Sequence, residues 1–152
     1  MNIQIENRQS RVKIDRRRLR GMASRVLKEL DAAGKEISIS LVDDETIRTL
    51  NKRYLGKDKP TNVLSFSLQE GDCGDINPDL LGDVVISVDT AQRDAAKARW
   101  TTEQEIVYLL IHGILHLLGY NHENTSRRES LRMHQKEKEL FLKIYPQGDP
   151  CL

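Results

Sequence analysis

The sequence predicts a single α+β domain over residues 1–152, a small sheet packed by about five helices. Three observations lead there. A chain of 152 residues with 38% hydrophobic content is most simply one domain with a real core. Four short segments carry the apolar residues of strands, and five longer ones repeat them at helical spacing. No repeat, low-complexity tract or linker divides the chain.

Alternating Ile3 and Ile5 predict a first strand. Asp15 can cap a helix whose apolar positions Leu19, Met22, Ala23, Val26, Leu27 and Leu30 share one face, with Gly34 as its stop. Ile37, Ile39 and Leu41 alternate with polar residues as a half-buried second strand. Asp43 or Asp44 caps a second helix bearing Ile47, Leu50 and Tyr54, and this spacing places Tyr54 in the core rather than free to stack on a base. Gly56 to Pro60 is then a basic loop.

Val63 to Leu68 is the third predicted strand, and the acidic stretch Gln69 to Pro78 a mobile loop. Leu81 to Val88 forms the fourth strand, followed by a helix over about Asp89 to Arg99. Thr102 with Glu105 has the pattern of a capping box before a very apolar helix. Ser126 with Glu129 repeats it before a last helix bearing Leu131, Leu140 and Ile144. His134 lies on that helix at ordinary surface spacing.

The formal charge of +1 hides segregation: nine basic residues and one acid lie between Arg8 and Lys28, and five acids with no base between Glu70 and Asp83. A basic face suits a polyanion such as RNA, but charge alone favours the simpler account, a solvated helix face. Cys73 and Cys151 lack metal-pair spacing and suggest no disulfide framework. With no apolar signal core and no run of membrane-spanning length, a cytoplasmic location is the expectation.

The chemistry concentrates in the stretch Ile111 to His122, where His112, His116 and His122 stand in an H-x3-H-x5-H spacing. Residues four apart share a helix face, so His112 and His116 can aim their rings at one point. Gly119 can end the helix and let the chain bring His122 back to it. Imidazoles among Ile106, Val107, Leu109, Leu110, Ile114, Leu115, Leu117 and Leu118 need partners, and a shared metal supplies one partner for all three. Three neutral imidazoles around zinc leave a fourth position open, as catalytic sites do; other divalent transition metals would also suit them. The alternative is a set of core or surface histidines. The spacing resembles the metzincin protease pattern, Gly119 included, but Gly113 stands where the general-base glutamate belongs, which disfavours a peptidase.

Three blocks, NKRYLGKDKPTNVLSF (Asn51 to Phe66), LGDVVIS (Leu81 to Ser87) and HGILHLLGYNH (His112 to His122), together resemble the YbeY family of bacterial metal-dependent endoribonucleases. The resemblance implies a mixed four-stranded sheet, one zinc ion held by His112, His116 and His122 at the end of a central helix, and cleavage of single-stranded RNA. It also implies a role in ribosomal RNA maturation and ribosome quality control, with small ribosomal subunit components as partners and no DNA substrate.

Two positions depart from the family pattern. Leu55 stands where an arginine of functional importance usually follows the tyrosine, and Asn121 where aspartate is common. Arg53, Lys57 and Lys59 are the candidates for phosphate contact in its place, with Arg53 beside His112 and His116 as the catalytic set. Thr61, Asn62 and Ser65 could orient substrate or serve turn and strand chemistry, and Asp83 reads as the start of a strand rather than as support for a ligand histidine. Leu55 keeps a second reading open: a zinc-stabilised RNA-binding or ribosome-assembly factor with little catalysis of its own.

Overall fold

Ile37, Ile39 and Leu41 are fully buried, and the strand that carries them, β2 (Glu36–Val42), runs through the middle of the sheet. The computed structural model describes residues 2–68, 79–120 and 126–147. Strand β1 (Ile3–Asn7) pairs parallel to β2, and β4 (Leu80–Ser87) pairs parallel to its other side. Strand β3 (Val63–Ser67) closes the far edge antiparallel to β4. The order β1-β2-β4-β3 is therefore a mixed four-stranded sheet, as the resemblance implied.

Parallel neighbours need crossover connections, and helices supply them. Helix α1 (Arg16–Glu29) joins β1 to β2; Asp15 caps it by accepting from the Arg18 amide at 3.1 Å. It ends at Leu30 rather than at Gly34, because Asp31 already turns left-handed (φ 56°). Helix α2 (Asp44–Leu55) starts at Asp43, whose side chain accepts from Thr46 N at 2.8 Å, and stops at left-handed Gly56. Helix α3 (Val88–Ala98) begins one residue earlier than predicted, with Ser87, the last residue of β4, serving also as its cap.

The apolar helix is α4 (Thr102–Leu117), and its capping box uses Thr101 and Gln104, one residue before the predicted pair. Glutamine serves as well as glutamate there, since only a side-chain acceptor for the cap amide is required. The last helix, α5 (Arg127–Ile144), is capped by Ser126 as expected, but Leu131 on it is exposed.

The sheet has two unlike faces. Val84 and Ile86 point into the main core with α1, α3, α4 and α5, while Val85 and Leu64 point the other way, into a small cluster under Ile47 of α2. Gly82 (φ 143°) lies beside a register shift between β2 and β4, where a side chain would strike the Phe66 carbonyl. At one end of the sheet, Asp44 accepts from Ser87 Oγ and Thr90 Oγ1, each at 2.6 Å, and pairs with Arg93. Buried Asp89 accepts from the Asp44 amide and from Arg11, so the starts of α2 and α3 are tied to the segment after β1.

No helix among the described residues is long and apolar enough to cross a membrane. The acidic loop, Cys73, Asn121, His122 and Cys151 lie outside the described residues.

Candidate metal centre

Helix α4 lies directly on the sheet because Gly113 lets it. A Cβ built there would meet Val84 Cγ1 at 2.7 Å, Val84 Cγ2 at 3.0 Å and Ser65 Oγ at 3.2 Å. Ser65 in turn donates from Oγ to the Gly113 carbonyl at 3.4 Å. The position that carries glutamate in a metzincin is thus where this helix touches β3 and β4, and a larger side chain would lift it off. Ile106, Leu110, Ile111, Ile114 and Leu115 are fully buried around it.

His112 and His116 sit one turn apart on the flank of α4, both half-buried, with ring centroids 4.7 Å apart. Their Nε2 atoms face each other at 3.2 Å. Two ligands about 2.05 Å from a tetrahedral zinc ion lie about 3.3 Å apart, so this spacing fits one ion between them. His112 Nδ1 meets Oε2 of Glu137, on α5, at 2.9 Å. That carboxylate is the acceptor a ligand histidine needs: with the proton on Nδ1, the Nε2 lone pair points outward. Glu137 is 5% exposed, so the contact is shielded from water.

Glu137 was not among the predicted site residues. Its signal in the sequence is an acid on the apolar stripe Met133, Leu140 and Phe141, all of which are buried. A carboxylate there needs a partner. Asn121, where the family pattern commonly has aspartate, lies outside the described residues, as does His122. Among the described residues no group of three or more histidine, cysteine or acidic side chains converges. His134 is exposed on α5, as its spacing predicted.

Arg53, Lys57 and Lys59 are all exposed, at the end of α2 and in the loop before β3. The loop has a defined shape. Asn51, 2% exposed, donates from Nδ2 to the Lys59 carbonyl at 2.9 Å, and Asp58 pairs with Arg48 at 2.8 Å. The loop leads into β3, whose Ser65 lies beneath the histidine helix, whereas α2 itself packs on the opposite face of the sheet.

Tyr54 differs from expectation. It is 55% exposed and meets Phe66 edge-on at 5.3 Å instead of entering the core. The small cluster under α2 is filled by Val42, Ile47, Leu64 and Val85, so the last turn of the helix overhangs it. Leu55 is equally exposed. Asp83 lies on β4 hydrogen-bonded to Ser38 of β2; burial pushes its carboxyl above the usual range. Asn62 accepts at Oδ1 from Val63 N and at its carbonyl from Ser87 N, which is turn chemistry.

The architecture and this site define a single-domain α+β protein with a carboxylate-backed histidine pair on its central helix. The family model described as Endoribonuclease YbeY matches residues 4–145. Curated proteins named endoribonuclease YbeY are similar throughout: that of Syntrophus aciditrophicus is 51% identical over 95% of this chain and 91% of its own length. That of Geobacter sulfurreducens is 48% identical over 93% and 94%. The solution structure of TM1509 from Thermotoga maritima superposes with a TM-score of 0.65 at 26% identity, covering 95% of this chain and 90% of that one. The chain belongs to the endoribonuclease YbeY family.

Proposed function

We propose that this protein is a zinc-dependent endoribonuclease that cuts single-stranded RNA in the cytoplasm, in ribosomal RNA maturation and ribosome quality control, next to small-subunit components. The observation that carries the reading is the pair of Nε2 atoms 3.2 Å apart, with Glu137 behind His112. His122, six residues after His116 in the sequence, would complete the ligand set. The relatives that match over nearly the whole chain carry the name endoribonuclease, which supplies the substrate class.

Zinc, when bound, supplies Lewis acidity toward a phosphoryl oxygen. Glu137 fixes the ring and proton of His112, so no reorganisation is needed as charge develops. Arg53, Lys57 and Lys59 carry the positive charge that would hold and neutralise phosphates, with Arg53 in the catalytic role. Gly113 leaves no side-chain base at its position, which disfavours a metzincin-type peptidase. RNA has its own nucleophile in the 2′-OH beside each phosphate, so a helix without that glutamate is compatible with RNA cleavage. A cyclic phosphate product at early times, absent when the 2′-OH is removed, would identify that route.

Leu55 favours a second reading, an RNA-binding assembly factor with little turnover, since an exposed leucine stands where the family pattern has arginine. Multiple turnover on labelled single-stranded RNA separates the two, using zinc-loaded wild type, His116→Ala and Leu55→Arg. Cleavage by wild type and loss in His116→Ala supports the nuclease. RNA binding without cleavage, with turnover appearing only in Leu55→Arg, supports the binder.

A further inference from the structure

Helix α5 presents three exposed arginines, Arg127, Arg128 and Arg132, around exposed Leu131. Among the described residues none of the three holds an ion pair, unlike Arg11, Arg18, Arg48 and Arg93, which face carboxylates. Two concavities meet at this helix. One, of about 410 Å³, is lined by Leu118, Gly119, Tyr120, Glu129 and Arg132, at the end of the histidine helix. The other, of about 680 Å³, is lined by Arg127, Arg128, Leu131, Arg132 and Gln135. Arg132 belongs to both. It lies five residues before Glu137, about 7.5 Å along the helix axis, so the helix that supports His112 also carries this basic strip.

We infer that Arg128 and Arg132 form a secondary RNA-binding surface that holds the strand beyond the scissile phosphate, with Leu131 covered by a base. This rests on the ribonuclease reading and assigns it a surface outside the Arg53 to Lys59 region. Charge selects the occupant: exposed guanidiniums are planar donors suited to phosphate oxygens and to stacking on a base, and the leucine between them gives an apolar floor. Glu129, on the rim of the first concavity, repels phosphate and directs the backbone to the Arg128 side. Exposed stems of this kind can be truncated without disturbing the core.

The test uses the full chain, zinc-loaded, with single-stranded RNA of about 20 nucleotides, long enough to cover both surfaces. Arg128→Ala/Arg132→Ala is compared with wild type and with Lys97→Ala, an exposed charge on α3. Binding is measured in parallel on His116→Ala backgrounds. The expected result is KM and Kd raised about tenfold with kcat unchanged, and a log–log salt dependence shallower by about 0.7 per arginine removed. Lys97→Ala should match wild type.

An arginine variant with wild-type KM, Kd and salt slope would overturn the inference. So would a loss of affinity for polyglutamate equal to the loss for RNA, which would reassign the strip to an acidic protein. Wild type that binds RNA without cutting it would remove the nuclease reading while the binding arm still decides this one. Wild type that neither binds nor cuts removes both.

Discussion

Glu137 Oε2 lies 2.9 Å from His112 Nδ1, joining α5 to α4 at the one ring nitrogen that cannot face the candidate metal. The carboxylate acts through the histidine, as a positioning residue. Glu137→Ala should lower zinc affinity by about 10–100-fold in a chelator competition titration. Glu137→Gln should lose less, because its amide oxygen can still accept the Nδ1 proton. His134→Ala, on the exposed side of the same helix, should bind zinc like wild type. Equal affinity in wild type and Glu137→Ala would remove the positioning role.

Gly113 sets how closely α4 approaches the sheet. Gly113→Ala places a methyl against both branches of fully buried Val84 and against Ser65 Oγ, so the helix or the strand must shift. Overpacking of this kind costs about 1–3 kcal/mol in urea unfolding. Val84→Ala in the same chain should recover part of it, and a double-mutant cycle reads the coupling. Additive losses would show that the two side chains do not meet.

Glu105 gives the stability a pH dependence. Its carboxyl, in the first turn of α4, is raised from 4.5 to about 7, first by burial and then by the charge of Asp94. The folded state therefore favours the protonated acid. As pH rises from about 4.5 towards 7 the unfolded chain releases this proton while the folded chain keeps it, so stability falls across that window and the loss is complete above about 7. Glu105→Gln should flatten this part of the profile and be more stable than wild type at pH 8. Urea midpoints at pH 5 and pH 8 for both proteins measure it; parallel shifts would contradict the assignment.

Leu55 is 55% exposed at the end of α2, so Leu55→Arg should leave the thermal midpoint within a degree or two, on the order of a surface change. A cation also suits that helix end. RNA turnover should rise, and with it the steepness of the salt dependence. Unchanged turnover would mean that Arg53, Lys57 or Lys59 already fills the role.

Periodicity made much of this protein legible in its sequence. The spacing of His112 and His116 needs only 3.6 residues per turn to bring them together, and the alternation in β2 needs only a strand's two faces. Caps such as Asp15, Asp43 and Ser126 are equally local, because a side chain bonds the backbone three residues on. Where competing caps adjoin, as at Thr101 and Thr102, local chemistry permits either, and the helix starts from the first.

What the sequence by itself determined, then, is the set of elements and the face on which the histidine pair stands. Tertiary structure decided their partners. Glu137 comes 25 residues after His112 and reaches it only because α4 and α5 pack together. Gly113 matters because Val84 and Ser65 lie beneath it. Tyr54 follows the helical pattern of a core residue and is exposed, because the cluster under α2 ends before its last turn. Periodicity fixes the direction of a side chain relative to its own backbone. Which backbone stands opposite is set by long-range packing, and that is where the support for this site was built.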